Sequence, residues 1–170
     1  MKNLIIWHEV KPKLFFWGLL CTTFIASNVL AMSETPEKTL AWCEKVAVEA
    51  SEMAFKAQVT CDYSTVNQAY NLADEAAYLA AEVSRAVENT ANKQLALSAY
   101  NVCHQVEAAI AKVIMAAQYI VTHSPNPDEV HAADVLLDYC KVTQKQNKAS
   151  MEMALAPLSN ISERAEAYSE

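Results

Sequence analysis

The stretch Ala41–Cys61, AWCEKVAVEASEMAFKAQVTC, contains no glycine and no proline. Counting from Leu40, its small and apolar residues recur at Leu40, Cys43, Ala47, Ala50, Ala54, Ala57 and Cys61, in alternating steps of three and four. At ~3.6 residues per turn, that beat lines one face of a single helix, as in a heptad seam. The eighteen steps from Cys43 to Cys61 make about five turns and roughly 27 Å of rise. A disulfide requires Cα atoms within about 7 Å. On an unbroken helix the two cysteines face the same way but can neither bond nor share a metal. Each must then look to Cys103 or Cys140.

The same beat continues outward. Thr35 and Pro36 suit the cap and first position of this first helix. Asp62 and Ser64 supply turn and cap residues for a second. Its seam reads Val66, Ala69, Ala73, Ala76, Ala80, Val83 and Val87. After the polar break "ENTANK", a third helix carries Leu95, Ala99, Val102, Val106, Ala109, Val113, Ala116 and Ile120 inward. Ile110, Ile114, Ala117 and Val121 widen its apolar arc, which makes it the candidate for the most buried helix.

"THSPNPDE" then stops the third helix with two prolines. Asn126, Pro127, Asp128 and Glu129 open a fourth with a cap and an acidic first turn. Val130, Ala133, Leu137 and Cys140 form its inward face. The polarity of "KVTQKQNKAS" predicts a solvated or frayed later half, and Pro157 predicts its end. Helices are expected at about 36–61, 64–89, 92–122 and 127–155, with a short one at 160–168.

The only glycine is Gly18, so tight hairpin turns have no residue to build them, while 27 alanines follow Ala31. The expected fold is all-α: an antiparallel four-helix bundle with alanine-rich, heptad-like seams, cross-linked by disulfides. Alanine seams bring backbones close but bury little area per contact, so cross-links would contribute.

Residues 1–31 read as a secretory signal cut after Ala31. The alternative is an uncleaved anchor over residues 14–31, whose 18 residues stand at the lower edge for spanning a bilayer and which would be the chain's one attachment to a membrane. Lys2, Lys11 and Lys13 precede the apolar run "LFFWGLLCTTFIA", and Val29 and Ala31 stand at the cleavage positions. Residues 32–170 are the expected mature domain. Losing Lys2, Lys11, Lys13 and Glu9 takes the net charge from −7 to −9. So acidic a domain repels phosphate backbones, which argues against a nucleic-acid partner, and anionic membrane surfaces are disfavoured for the same reason. Four cysteines remain in an exported chain: Cys43, Cys61, Cys103 and Cys140. An even count in that compartment predicts two disulfides. Matching heights favour 43–103 with 61–140, 43–140 with 61–103 stays open, and 43–61 with 103–140 survives only if the first helix bends back as a hairpin, which no residue signals. In a square bundle, however, the first and third helices would be diagonal.

Chemistry-bearing motifs are sparse. No phosphate-binding glycine loop, G-x-S-x-G or H-E-x-x-H is present. "AYNVCH" has Tyr100 where haem attachment requires cysteine. His104 with Glu107, and His131 with Asp134, are spaced three apart, but in the reverse order of the Glu-x-x-His pairs that build carboxylate-bridged metal bundles. A haem between helices would call on His104 or His131 with a methionine such as Met53. Asn160-Ile161-Ser162 is a glycosylation sequon.

No catalytic residue, metal site or cofactor is assigned. The general layout is similar to that of small secreted plant enzyme inhibitors, although their first two cysteines form a short hairpin bridge. The expected function is that of an exported, periplasmic or secreted, non-enzymatic protein that binds an envelope or extracellular protein as an accessory, adaptor or inhibitor-like factor. The seams also suit a homodimer. The alternative is a small bundle that binds a ligand, haem or metal.

Overall fold

A computed structural model of the chain describes the backbone of residues 35–167 and the side chains of residues 35–159. The expected signal segment and the sequon at Asn160 lie outside these side chains. The described residues form four helices and no strand: α1 Pro36–Thr60, α2 Tyr63–Glu88, α3 Lys93–His123 and α4 Pro127–Ala167. No helix among them is long and apolar enough to cross a membrane.

Local chemistry sets the helix ends. The Lys38 amide donates to Thr35 Oγ1 at 3.3 Å, which caps α1 ahead of Pro36. At the other end Cys61 takes the left-handed conformation (φ 51°, ψ 45°) and its amide donates to the Ala57 carbonyl. Asp62 immediately caps α2, accepting from the Ser64 and Thr65 amides at 3.0 and 3.2 Å. The weak break "ENTANK" works through Asn92, whose Oδ1 accepts from the Leu95 amide at 3.1 Å. Asn126 likewise accepts from the Asp128 amide at 3.0 Å.

The seams of α1, α2 and α3 lie inward much as their spacing predicts. Leu40, Cys43, Ala47, Ala50, Ala54 and Ala57 of α1 are buried, and so is every predicted seam residue of α2. In α3 the inward face rotates slightly at its start, burying Ala96 in place of Leu95. Early in α4 the same rotation buries Leu136 in place of Leu137, while Val130 is half-buried.

The later part of α4 departs from expectation. Residues 141–150 are regular helix, and Thr143, Asn147 and Ser150 are buried. The heptad beat runs on through Leu136, Cys140, Thr143, Asn147, Ser150, Ala154 and Pro157, so position on the stripe, not polarity, decides burial. Pro157 does not stop the helix, which continues to Ala167. It is buried on the seam one step after Ala154, and packing there outweighs the amide that proline lacks.

The packing order is that of a rhombus. Helix α1 packs on α2 and α3, α4 packs on the same two, and α2 and α3 meet across the short diagonal. Among the described residues α1 and α4 share no contact. The first and third helices are therefore neighbours, not the diagonal pair of a square bundle.

Candidate functional site

Two features could carry function: a polar layer inside the bundle, which includes the thiols, and apolar side chains left outside it.

The polar layer begins between α2 and α4. Thr143 Oγ1 donates to Asp74 Oδ1 at 2.6 Å, and Tyr70 Oη lies 3.3 Å from the same threonine hydroxyl. Burial pushes the Tyr70 phenol above its ordinary value, with Thr143 pulling the other way. Between α3 and α4, Gln144 Nε2 donates to Glu107 Oε1 at 2.6 Å. Asn147 Nδ2 donates to the Cys103 carbonyl at 2.9 Å and to Glu107 Oε2 at 3.2 Å. Asn147 is fully buried, and its Oδ1 finds no partner among the described residues. Between α2 and α3, the buried hydroxyl of Ser84 lies 3.7 Å from Cys103 Sγ.

Cys43, Cys61, Cys103 and Cys140 stand as free thiols in this structure, so neither of the two expected disulfides is formed in it. Cys43, Cys103 and Cys140 are fully buried, and Cys61, at the α1 cap, is half-exposed. Burial pushes the Cys43 thiol up to about 12, and the nearby Cys103 adds to the effect. Burial, with the Asp74 carboxylate beside it, pushes Cys140 up to about 11. Burial also raises Cys103, against a lowering hydrogen bond from Ser84. A thiol held above the ordinary value of 9.0 stays protonated near neutral pH and is a poor nucleophile.

The histidines do not converge. His104 faces outward and pairs edge-on with Tyr100, Nε2 to Oη 2.9 Å. His131 is exposed beside the α3–α4 turn with Pro125 and Asp134. Glu107, the expected partner of His104, turns instead to Gln144 and Asn147. No group of three or more metal-binding side chains gathers among the described residues.

Outside the bundle, Phe55 and Val59 of α1 are 68 % and 70 % exposed. Phe55, with Val48 on α1 and Met115 on α3, also exposed, edges a groove where Glu52 and Lys112 supply the charge. A second exposed patch, Tyr139 and Val142, lies on α4.

Sequence reading missed Asn147, Thr143, Ser150, Ser84 and Asp74 as interior groups. The signal for the three α4 residues was the uninterrupted beat after Cys140. The outward Phe55 and Val59 were legible as residues off the alanine stripe. No known protein family, curated protein or solved structure matches the chain.

Proposed function

We propose that this chain is an exported, non-catalytic helical bundle that acts in the periplasm or outside the cell by binding another protein through its surface. The observation that carries this reading is the exposed apolar stripe of Val48, Phe55 and Val59 on α1, joined by Met115 of α3. Large apolar side chains grouped in solvent lose little by waiting and gain when a partner covers them, so such patches mark docking surfaces. The non-catalytic part rests on the interior polar groups. Asp74 is engaged by Thr143 and Tyr70, and Glu107 by Gln144 and Asn147, so these carboxylates serve packing.

In this reading the helices run antiparallel to their chain neighbours and are cross-linked by cystine. Support for the direction comes from α3 and α4: residue 107 bonds to residue 144, while residue 103 bonds to residue 147. Support for cross-linking is the burial of Cys43 and Cys103 on α1 and α3, two helices that pack against each other, in a chain read as exported to an oxidising compartment.

The test is co-purification from the native host. Wild-type protein is expected to retain an envelope or secreted partner, and F55E/V59E is expected to lose it, while Y139E on the far helix keeps it. Equal retention by F55E/V59E would move the docking surface elsewhere. A coloured preparation, or metal at one equivalent, would overturn the reading in favour of a ligand-binding bundle.

A further inference from the structure

The packing order and the cross-helix hydrogen bonds restrict which thiols can meet. Gln105 Nε2 on α3 donates to Glu44 Oε1 on α1 at 3.0 Å. Higher up, Phe55 and Met115 edge one groove, so residues climb α1 and α3 together. Cys43, next to Glu44, therefore stands level with Cys103, two residues before Gln105. Both are fully buried on helices that pack directly against each other. Their neighbours along the two seams are Ala47 and Ala99, whose small side chains allow close backbone approach.

Every other pairing among the four described cysteines fails on distance. Cys61 lies eighteen residues from Cys43 along unbroken α1, roughly 27 Å, and is as far from Cys103 at the same level. Cys140 lies seven residues along α4 from Asn147, which binds the Cys103 carbonyl, so roughly 10 Å of rise separates the two thiols. Cys43 cannot reach Cys140, because α1 and α4 do not touch. Carrying both registers onto α3 puts Cys140 near residue 110 and Cys61 near residue 122, a gap of roughly 18 Å.

We propose that oxidation joins Cys43 to Cys103 across the α1–α3 interface, and that this is the one cystine the fold permits among the four described cysteines, with Cys61 and Cys140 left as thiols. The two thiols lose two protons and two electrons as the S–S bond forms. The electrons reduce a disulfide oxidant, such as oxidised glutathione or a protein disulfide, whose two sulfurs take up the protons. Both sulfurs are buried and burial raises both thiols above the ordinary value, so exchange at this pair is slow once α1 has closed on α3. The link ties α1 to its only neighbour outside the α1–α2 hairpin. The proposal rests on the exported reading only for the oxidising compartment in which it would operate.

The full chain from residue 32 is refolded in a glutathione redox buffer, alkylated under denaturing conditions and digested without reduction for mass spectrometry. The expected result is one linked peptide pair containing Cys43 and Cys103, two hydrogens lighter than the free peptides, with Cys61 and Cys140 alkylated. The C61S/C140A variant is expected to form the same link, and reduction is expected to lower the unfolding midpoint of both proteins. A bond from Cys43 or Cys103 to Cys61 or Cys140, or alkylation of both Cys43 and Cys103, would overturn the proposal. Protein from the native host tests the compartment separately. If the link forms on refolding but is missing there, the pairing stands and the exported reading falls.

Discussion

Helices α1 and α4 sit at opposite corners of the rhombus and pack against the same two neighbours, yet they line their seams with different chemistry. The α1 seam is Leu40, Cys43, Ala47, Ala50, Ala54 and Ala57. It makes no demand on its neighbours beyond shape. The α4 seam passes from Ala133, Leu136 and Cys140 into Thr143, Asn147 and Ser150. Each of those polar groups requires a partner, because burying one unpaired costs about 1–3 kcal/mol. Thr143 finds Asp74, Asn147 finds Cys103 and Glu107, and Ser150 turns back to the Gln146 carbonyl at 3.0 Å. The apolar seam tolerates sliding by a turn. The polar seam does not, because a shift strands the bonds of Thr143 and Asn147, whereas α1 has its register marked only at the edge of its seam, by Gln105 donating to Glu44.

The sharpest way to break this contrast is N147D. It replaces the amide that donates to Glu107 with a second carboxylate in a fully buried place. A loss of about 3–5 kcal/mol is expected at neutral pH, read by urea unfolding, with partial recovery as acid protonates the pair. An unchanged midpoint would mean that the polar seam is not enclosed as described.

The matching challenge to α1 is A50L. Ala50 is fully buried where α1 meets its neighbours, and overpacking such a site costs about 1–3 kcal/mol. Leucine placed at the exposed neighbour, E49L, is expected to be nearly neutral, which calibrates the effect.

Titrating the reduced protein with alkali compares the thiols of the two seams. The Cys43 thiol is raised to about 12 in the folded chain against 9.0 unfolded. The folded state thus keeps a proton that the unfolded state gives up, so stability is whole below pH 9 and falls as pH rises towards 12. Cys140 acts in the same direction up to about 11. C43A is expected to flatten the decline by about 1 kcal/mol at pH 10, measured by denaturant unfolding at several pH values. A slope identical to that of the reduced parent would contradict a buried, protonated Cys43.

The smallest effect is expected at a cap that serves neither seam. D62A removes the carboxylate that accepts from Ser64 and Thr65 and should cost about 0.5–1 kcal/mol. The Thr65 hydroxyl bond, ahead of the two amides, holds the Asp62 carboxyl below its ordinary value. Its contribution is therefore present at neutral pH and is lost as pH falls through that lowered value. Parent and variant midpoints should converge in acid.

The legibility of the molecule follows the same division. Three of the four seams, the caps at Thr35, Asp62 and Asn126, and the all-helical class could be read directly, because apolar spacing and capping act over a few residues. The α4 seam was hidden because its polarity suggested solvent while its spacing pointed inward, and only partners from α2 and α3 resolve that conflict. Pro157 misled for the same reason, since its local preference to end a helix is overruled by its buried place on the stripe. Asp74 and Ser84 carried no signal beyond lying near their seams.

The sequence by itself determined that Cys43 and Cys61 stand on one rod too far apart to bond, since helical rise depends only on residue count. It also determined that a cysteine lies on the inward stripe of α1 and of α4. Only the tertiary structure decided that α1 lies against α3 and away from α4, which sets Cys43 beside Cys103, whose matching height the spacing already indicated, and isolates Cys140. That choice belongs to the packing of helices distant in the chain, where nearly equivalent alanine stripes leave several arrangements open and side-chain fit, with the hydrogen bonds of Asn147 and Thr143, selects one.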